Sequence, residues 1–391
     1  MGHVARDEQS RGTARVLTGA LAAAAITVLL GAAPAMAREF RVSNNGSCPN
    51  PDFTSIQAAV TAAGPHDTVK VCPGTYTEQV RIETHAKDGL KLESLRPLEA
   101  RIQFPPVTVA DNQLVRVRGA QDVTIRGFTI TGPFVTSSGC SDAVPGAHEG
   151  IRVDGGGDAT IRDNHITQIQ NQVTALFGCQ DGIAVRVGRS AESTTGSAVI
   201  DHNVIDTYQK NGPTIDGAGS TATVKDNTID GGGASMQTAR NGVQVGRGAS
   251  AVIHNNEITG NSYIGAGDSS CPAAQDVIDC NDATGILIFE VTGNVEASNN
   301  SLATNDLGLD LGTASGVLVR NNFAHDNRFD GLRAESDTQQ NLFAENQSQN
   351  NGVHDCHDDS HGAGTAGTGN TWKNDFGVTQ TPLGICRPNG Q

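Results

Sequence analysis

Between residues 148 and 242 the chain gathers acids and bases at recurring distances from a series of glycines. Immediately before Gly150, Gly182, Gly212 and Gly242 stand Glu149, Asp181, Asn211 and Asn241, and one place further back stand His148, Gln180, Lys210 and Arg240. Four places after the first three glycines stand Asp154, Arg186 and Asp216, and Arg152 follows Gly150 by two. Carboxylates beside a cationic base permit two chemistries. A cation or acid that steadies a uronate carboxylate, with a base that removes the neighbouring carbon-bound proton, supports β-elimination. Two carboxylates at a defined separation support glycoside hydrolysis. Opposite charges stacked on the solvent face of a sheet are also ordinary cross-strand pairs, worth roughly 0.2–1 kcal/mol each. The pattern therefore marks a place to look rather than a reaction.

A second group, His354, Asp355, His357, Asp358, Asp359 and His361, crowds around Cys356 and offers nitrogen and oxygen ligands of the kind a metal takes. Its H-x2-H-x3-H spacing is no known zinc signature, and the segment reads as a solvated capping loop. His325, Asp326, Arg328 and Asp330 read as surface residues of a short turn.

The elements that position these residues repeat. Seven segments end in asparagine after an apolar stretch, at Asn164, Asn203, Asn227, Asn256, Asn300, Asn322 and Asn346, and glycines at 150, 182, 212, 242, 285, 308 and 331 recur between them. From glycine to asparagine the intervals are 14, 21, 15, 14, 15, 14 and 15, whereas from asparagine to the next glycine they are 18, 9, 15, 29, 8 and 9. One half of the repeat is fixed and the other takes insertions, which places the insertions on one side of a stacked molecule, commonly the binding side. After each glycine the apolar residues alternate, as in Ile151/Val153 and Val243/Val245, which is the period of a half-buried strand. The unit reads as strand, turn, strand, coiled and stacked about 4.8 Å apart into a parallel β-helix. The asparagines are expected to bond to one another from rung to rung. Strands near Val80, Leu90, Ile102 and Val115 suggest three or four further turns before the repeats begin.

Arg6, Arg11 and Arg15 precede an apolar run from Val16 to Ala33 and the small-residue pattern Ala35-Met36-Ala37, which reads as a secretory leader cut after Ala37. Without it the chain holds 24 basic and 40 acidic residues, a net charge of −16. That charge excludes a nucleic-acid partner and disfavours polyanionic glycans unless divalent cations bridge them. Eight cysteines in an exported chain suggest disulfides, and eight allow 105 pairings. Their places in the repeat favour Cys48 with Cys72, Cys140 with Cys179, Cys271 with Cys280 and Cys356 with Cys386.

The run Phe53-Thr54-Ser55-Ile56-Gln57-Ala58-Ala59-Val60, with Asp67 to Val71 and Pro73-Gly74-Thr75-Tyr76, resembles the opening of secreted right-handed parallel β-helix proteins of the pectate-lyase-like superfamily. Thr54 and Gln57 have capping-box spacing for a short helix that plugs the open end, and Val69 to Val71 would start the first rung. The expected architecture is all-β: a leader over 1–37, a single right-handed coil over 38–353 with an N-terminal capping helix, and a disulfide-bracketed C-terminal cap over 354–391. Handedness follows from the resemblance and from the rule for parallel crossovers.

The resemblance implies an extracellular protein that acts on or binds polysaccharide or a cell-surface glycan. It is taken as a monomer. For a lyase, it implies Ca²⁺ held by Glu149, Asp154, Asp181 and Asp216, with Arg186 or Lys210 as base; for a hydrolase, two of the same carboxylates would do the work. The NTD, GHG and RIK set, RxPxxR and DPHE, which mark catalytic branches of the superfamily, do not occur. A non-catalytic surface β-helix that binds glycan, cell wall or a protein partner is the alternative.

Overall fold

A strand of alternating residues hides only one face, and it can hide that face by stacking in register on copies of itself. The computed structural model describes residues 36–107, 112–136, 148–265 and 283–388. Its strands pair in parallel with their counterparts one repeat away and form three sheets of 12, 11 and 10 strands. The glycine-led strands, such as Glu149–Asp154, Ile183–Val187, Asn211–Asp216 and Asn241–Gly246, build the 11-stranded sheet. Segments ending at the asparagines build the 12-stranded sheet, and short strands after them, such as His165–Thr167 and Val204–Asp206, build the 10-stranded one.

Each rung thus has three strands rather than the two expected. The third is only three residues long in most rungs, too short for period 2 to register in the sequence. The strands at or beside Val80, Leu90, Ile102 and Val115 belong to the 11-, 12-, 10- and again 11-stranded sheets. They account for little more than one turn, not three or four.

Inside, like residues stack on like. Ile125, Ile161, Ile200, Val224 and Ile253 form one column. Ile130, Ile166, Ile205, Ile229 and Ile258 form another, and all ten are fully buried. The marker glycines are a packing requirement. A Cβ on Gly212, Gly242, Gly285 or Gly308 would lie 2.2–2.6 Å from the glycine carbonyl of the following rung.

The asparagines form the expected ladder. Each side-chain amide donates to Oδ1 of the next rung's asparagine, at 3.1, 3.0, 2.9, 2.9, 2.9 and 3.0 Å from Asn164 through to Asn346. The same Oδ1 accepts the preceding rung's backbone N–H, and the second amide hydrogen goes to a carbonyl of the rung before. The left-handed turn falls on the residue before, as at Asp163, His202, Asp226 and Asn255, which leaves the asparagine itself inside. Sequence reading missed a second ladder at the next corner, from Asn261 through Asn305 and Asn327 to Asn351. A third, shorter one joins Asn341 to Asn370. All three end on an aspartate: Asn346 on Asp375 at 2.7 Å, Asn351 on Asp355 at 3.0 Å, and Asn370 on Asp358 at 3.2 Å.

The N-terminal end is covered by the helix Ile56–Ala62, which buries Ile56, Ala59 and Val60. Its N-cap is Ser55 rather than Thr54, because Ser55 Oγ accepts the Ala58 N–H while Glu78 accepts the N–H groups of Ile56 and Gln57 from outside the helix. The strand Thr68–Val71 is preceded in its sheet by Glu39–Val42, so it does not open the coil. At the other end the sheets continue into the segment read as cap, through Cys356–Asp358, Thr371–Lys373 and Gln380–Thr381. Trp372 stacks on Phe343 with ring centroids 3.9 Å apart and donates its indole N–H to Asp358 at 2.7 Å. Disulfides Cys48–Cys72 and Cys356–Cys386 form as expected. Cys179 is disulfide-bonded, whereas Cys140, Cys271 and Cys280 lie outside the described residues.

Two outcomes test the ladder. Asn256→Ala leaves buried partners on both sides without a bond, at roughly 1–3 kcal/mol for each; urea unfolding is expected to show a loss of at least about 3 kcal/mol, against under about 0.5 kcal/mol for the exposed neighbour change Glu257→Ala. Burial pushes the Asp375 carboxyl from 3.8 up to about 6, against hydrogen bonds from Asn346 and Lys373 that favour its charge. A raised carboxyl stabilises the fold below its unfolded pKa, and that stabilisation is lost as pH rises through the folded value, here between pH 4 and about 6. The loss is about 3 kcal/mol at 1.36 kcal/mol per pKa unit. Melting curves of Asp375→Asn are expected to gain on those of the wild type as pH rises across this window.

Candidate functional site

Outward columns follow from register as surely as the core does. On the 11-stranded sheet, apolar-Arg-apolar recurs at Arg81, Arg116, Arg152 and Arg186, and these four arginines occupy one column on consecutive rungs. The column continues through Thr214, Gln244, Leu287, Asp310, Arg333 and His357. The column expected from glycine spacing, Asp154 with Arg186 and Asp216, does not exist. Gly182 precedes its strand by two extra places, so Ile151 pairs with Val185 and Arg152 with Arg186.

Four like charges on adjacent rungs repel unless acids stand between them, and the acids present do so. Asp154 accepts two bonds from Arg116, at 3.0 and 2.7 Å, and lies 2.8 Å from Arg152. Glu149 sits between Arg152 at 3.8 Å and Arg186 at 2.7 Å. Asp216 is reached by Arg186 at 3.2 Å and by Arg247 at 3.0 Å, and Ser190 donates to it from backbone and hydroxyl. Glu192, carried over this face by the insertion that the glycine spacing revealed, bonds Arg152 and Arg189. The result is a chain of alternating charge from Arg116 to Arg247.

Much of it is out of water. Glu149 and Asp154 have no exposed surface, and Arg152 is 1 % exposed. Burial raises the Glu149 carboxyl above the usual carboxylate range despite Arg186 and Arg152, and burial lowers Arg186 despite Glu149 and Asp216. Arg186 Nε and Glu149 Oε1 are close but off the hydrogen-bond line, so charge and contact hold the pair rather than a directed bond. Burial works against Glu192 as well, but its hydrogen bond to Arg152 holds it below the usual value.

The remaining sequence-derived residues stand apart from this chain. Asp181 accepts from Gly182 N–H and from the backbone of His148, and lies 3.0 Å from Nδ1 of His148, whose ring stacks on Phe134. Lys210 donates to the carbonyl of Ala239 at 2.6 Å, and burial pushes its amine down to about 8. Glu149, Asp154 and Asp216 are therefore joined by guanidinium groups, and a Ca²⁺ ion among them would require those pairs to open. Asp355 and Asp358 of the histidine cluster end asparagine ladders. Asp330, read as a surface residue, is fully buried and lies against His354 and His357.

Beyond the arginines the face changes character. Gln244 accepts from Asn211 and Asn241, both at 3.0 Å, and Arg247 lies over the half-buried Phe289 ring at 5.2 Å. Gly246 makes room for that ring, since a Cβ there would be 2.5 Å from it. Sequence reading missed Arg116 and Arg247. Arg116 was detectable as the second of four apolar-Arg-apolar triplets, whereas Arg247 follows its strand in a turn and left no periodic signal. A shallow depression of about 260 Å³ on the 12-stranded sheet is lined by Ser, Thr, Ala, Val and Asn294, with no titratable side chain.

Comparison with known proteins gives one family. A profile described as the right handed β-helix region matches residues 107–378. No curated protein matches. Among solved structures, the complex of XylC with xylose is similar with a TM-score of 0.55 at 11% identity, over 80% of this chain and 69% of that one. The lacto-N-biosidase of Eubacterium ramulus is similar with a TM-score of 0.53, also at 11% identity, over 90% of this chain and 65% of that one. Such identities carry the fold alone. Among the described residues no helix is long and apolar enough to cross a membrane.

Removing Asp154 leaves Arg116 and Arg152 buried without their shared partner, so Asp154→Ala is expected to cost about 3–5 kcal/mol in denaturant unfolding. Arg320→Ala, which breaks the half-exposed pair with Glu296, is expected to cost less than about 1 kcal/mol. Equal losses would show that the network is a set of ordinary surface pairs.

Proposed function

The chain belongs to the right-handed β-helix family, and from that premise we propose that it is a secreted protein that binds a neutral polysaccharide along the outward face of the 11-stranded sheet, between Arg189 and Phe289. One arrangement carries this reading: Arg247 is anchored on Asp216 and lies over the half-buried Phe289, on the strand end that follows Gln244. An aromatic face receives the C–H face of a sugar ring, while a guanidinium and amides take its hydroxyls. A net charge of −16 after the leader weighs toward a neutral glycan over an acidic one. Binding is favoured over catalysis because Glu149, Asp154 and Asp216 are already engaged by arginines.

Elimination or hydrolysis is the second reading, and the Lys210 amine, brought to about 8 by burial, is the observation that favours it. It would use Lys210 or Arg186 as base, with Asp154, Asp181 and Asp216 as acids or, with Glu149, as Ca²⁺ ligands.

The mature chain should be tested against a panel of neutral and acidic polysaccharides, with Ca²⁺ or EDTA, for retention in affinity gels and for unsaturated products and reducing ends. Retention by a neutral polysaccharide is expected, indifferent to Ca²⁺ and weakened at least about tenfold by Phe289→Ala or Arg247→Ala. Cleavage abolished by Lys210→Ala would replace binding with catalysis, and retention untouched by either substitution would move the site elsewhere.

A further inference from the structure

Far from the arginine network along the coil, Asp330, His354 and His357 bring one carboxylate oxygen and two imidazole nitrogens within 4.8 Å of one another. The geometry points to a site for a divalent transition-metal ion, with Zn²⁺ as its probe, that fastens the rung of Leu332–Ala334 to the next strand, Cys356–Asp358. Register builds it. Leu332 pairs with Cys356, so two places earlier Asp330 faces His354, while His357 pairs with Arg333.

The donor atoms are already gathered. His354 Nδ1 lies 3.2 Å from Asp330 Oδ1, and His357 Nδ1 lies 2.7 Å from Asp330 Oδ2. The His354 backbone N–H donates to the same carboxylate at 2.9 Å, which fixes its orientation. Asp330 is fully buried and His357 nearly so, while the His354 side chain keeps about a quarter of its surface exposed and gives an ion a way in.

The observation that singles out a metal is on the far side of His357. Its Nε2 lies 3.1 Å from Asp359 Oδ1, so each ring nitrogen faces a different carboxylate. An N–H donated to Asp359 fixes the tautomer and leaves Nδ1 as a lone pair aimed at the Asp330 side, the carboxylate–histidine–metal arrangement of zinc sites. Without an ion, His357 Nδ1 meets Asp330 Oδ2 directly, at 2.7 Å. Two imidazoles and one carboxylate suit Zn²⁺ and its first-row neighbours and leave a fourth position for water; Ca²⁺ takes six to eight oxygens. Cys356 lies between the histidines but is closed in its disulfide with Cys386.

The mature chain, stripped with EDTA and dialysed, should be titrated with ZnCl₂ by calorimetry and melted with and without Zn²⁺. One ion per chain is expected, with a raised melting temperature. His354→Ala is expected to bind at least about tenfold more weakly with its metal-free melt unchanged, and Asp359→Asn about tenfold more weakly. His202→Ala, in the other group of close ligand atoms, Asp201, His202 and Asp226, is expected to bind as the wild type does. No heat of binding, or binding lost in His202→Ala and kept in His354→Ala, overturns the site. Should His354→Ala not fold, the visible spectrum of the Co²⁺-loaded wild type decides. Ligand-field bands beyond those of the aqueous ion support the site, and their absence overturns it.

Discussion

In-register parallel stacking obliges every side chain to lie about 4.8 Å from its counterpart on the next rung, and most of this structure follows from what each residue type does under that obligation. Aliphatic groups pack on themselves, which gives the isoleucine columns. A primary amide is complementary to itself, donor at one end and acceptor at the other. Asparagine can therefore be repeated without limit in a place with no water, and three ladders exploit it. Arginine cannot be repeated in this way. Its column on the 11-stranded sheet stands only because carboxylates from neighbouring columns and from one insertion are threaded between the guanidinium groups.

The same obligation explains what could be read from the amino acids alone. Residues that repeat because stacking demands it, the glycines at a close backbone approach and the asparagines at a buried corner, repeat in the sequence, and from them the coil and one of its ladders were legible. The third sheet was not, because three residues such as His165–Thr167 give no period. Column membership was legible only where the spacing was regular. A shift of two places at Gly182 moved Arg186 out of the column of Asp154 and into that of Arg152, so spacing misplaced Arg186 beside Asp154, while its pairing with Asp216 is present at 3.2 Å. Asp330 gave no signal at all, since its partners lie a full rung away at His354 and His357.

The arginine network also gives the sheet face two distinct surfaces. From Arg116 to Asp216 the charges answer one another, and Glu149, Arg152, Asp154 and Asp216 are buried, a condition that fixes side chains in place. From Gln244 to Leu287 the column presents an amide and an apolar side chain, with the Phe289 ring beside it in the column of Gly246, and Arg247 crosses between the two surfaces by pairing with Asp216 and lying over Phe289. A rigid ionic platform thus sets the position of a softer, partly exposed patch beside it.

Each amide ladder finishes on a carboxylate. An asparagine hands the pattern to its successor because it both receives and gives, whereas an ionised aspartate only receives. Asp375, Asp355 and Asp358 therefore close the series in a chemical sense: the last amide has its acceptor, and no donor is left facing outward to recruit another. A coil made of interchangeable rungs has no internal reason to stop at any particular number, and its free end is the natural template for a further rung or a second molecule. An acid one rung on at Asp375, and acids beside the last amides of the other two ladders, thus end the amide series at one end of the coil and give the solenoid a polarity.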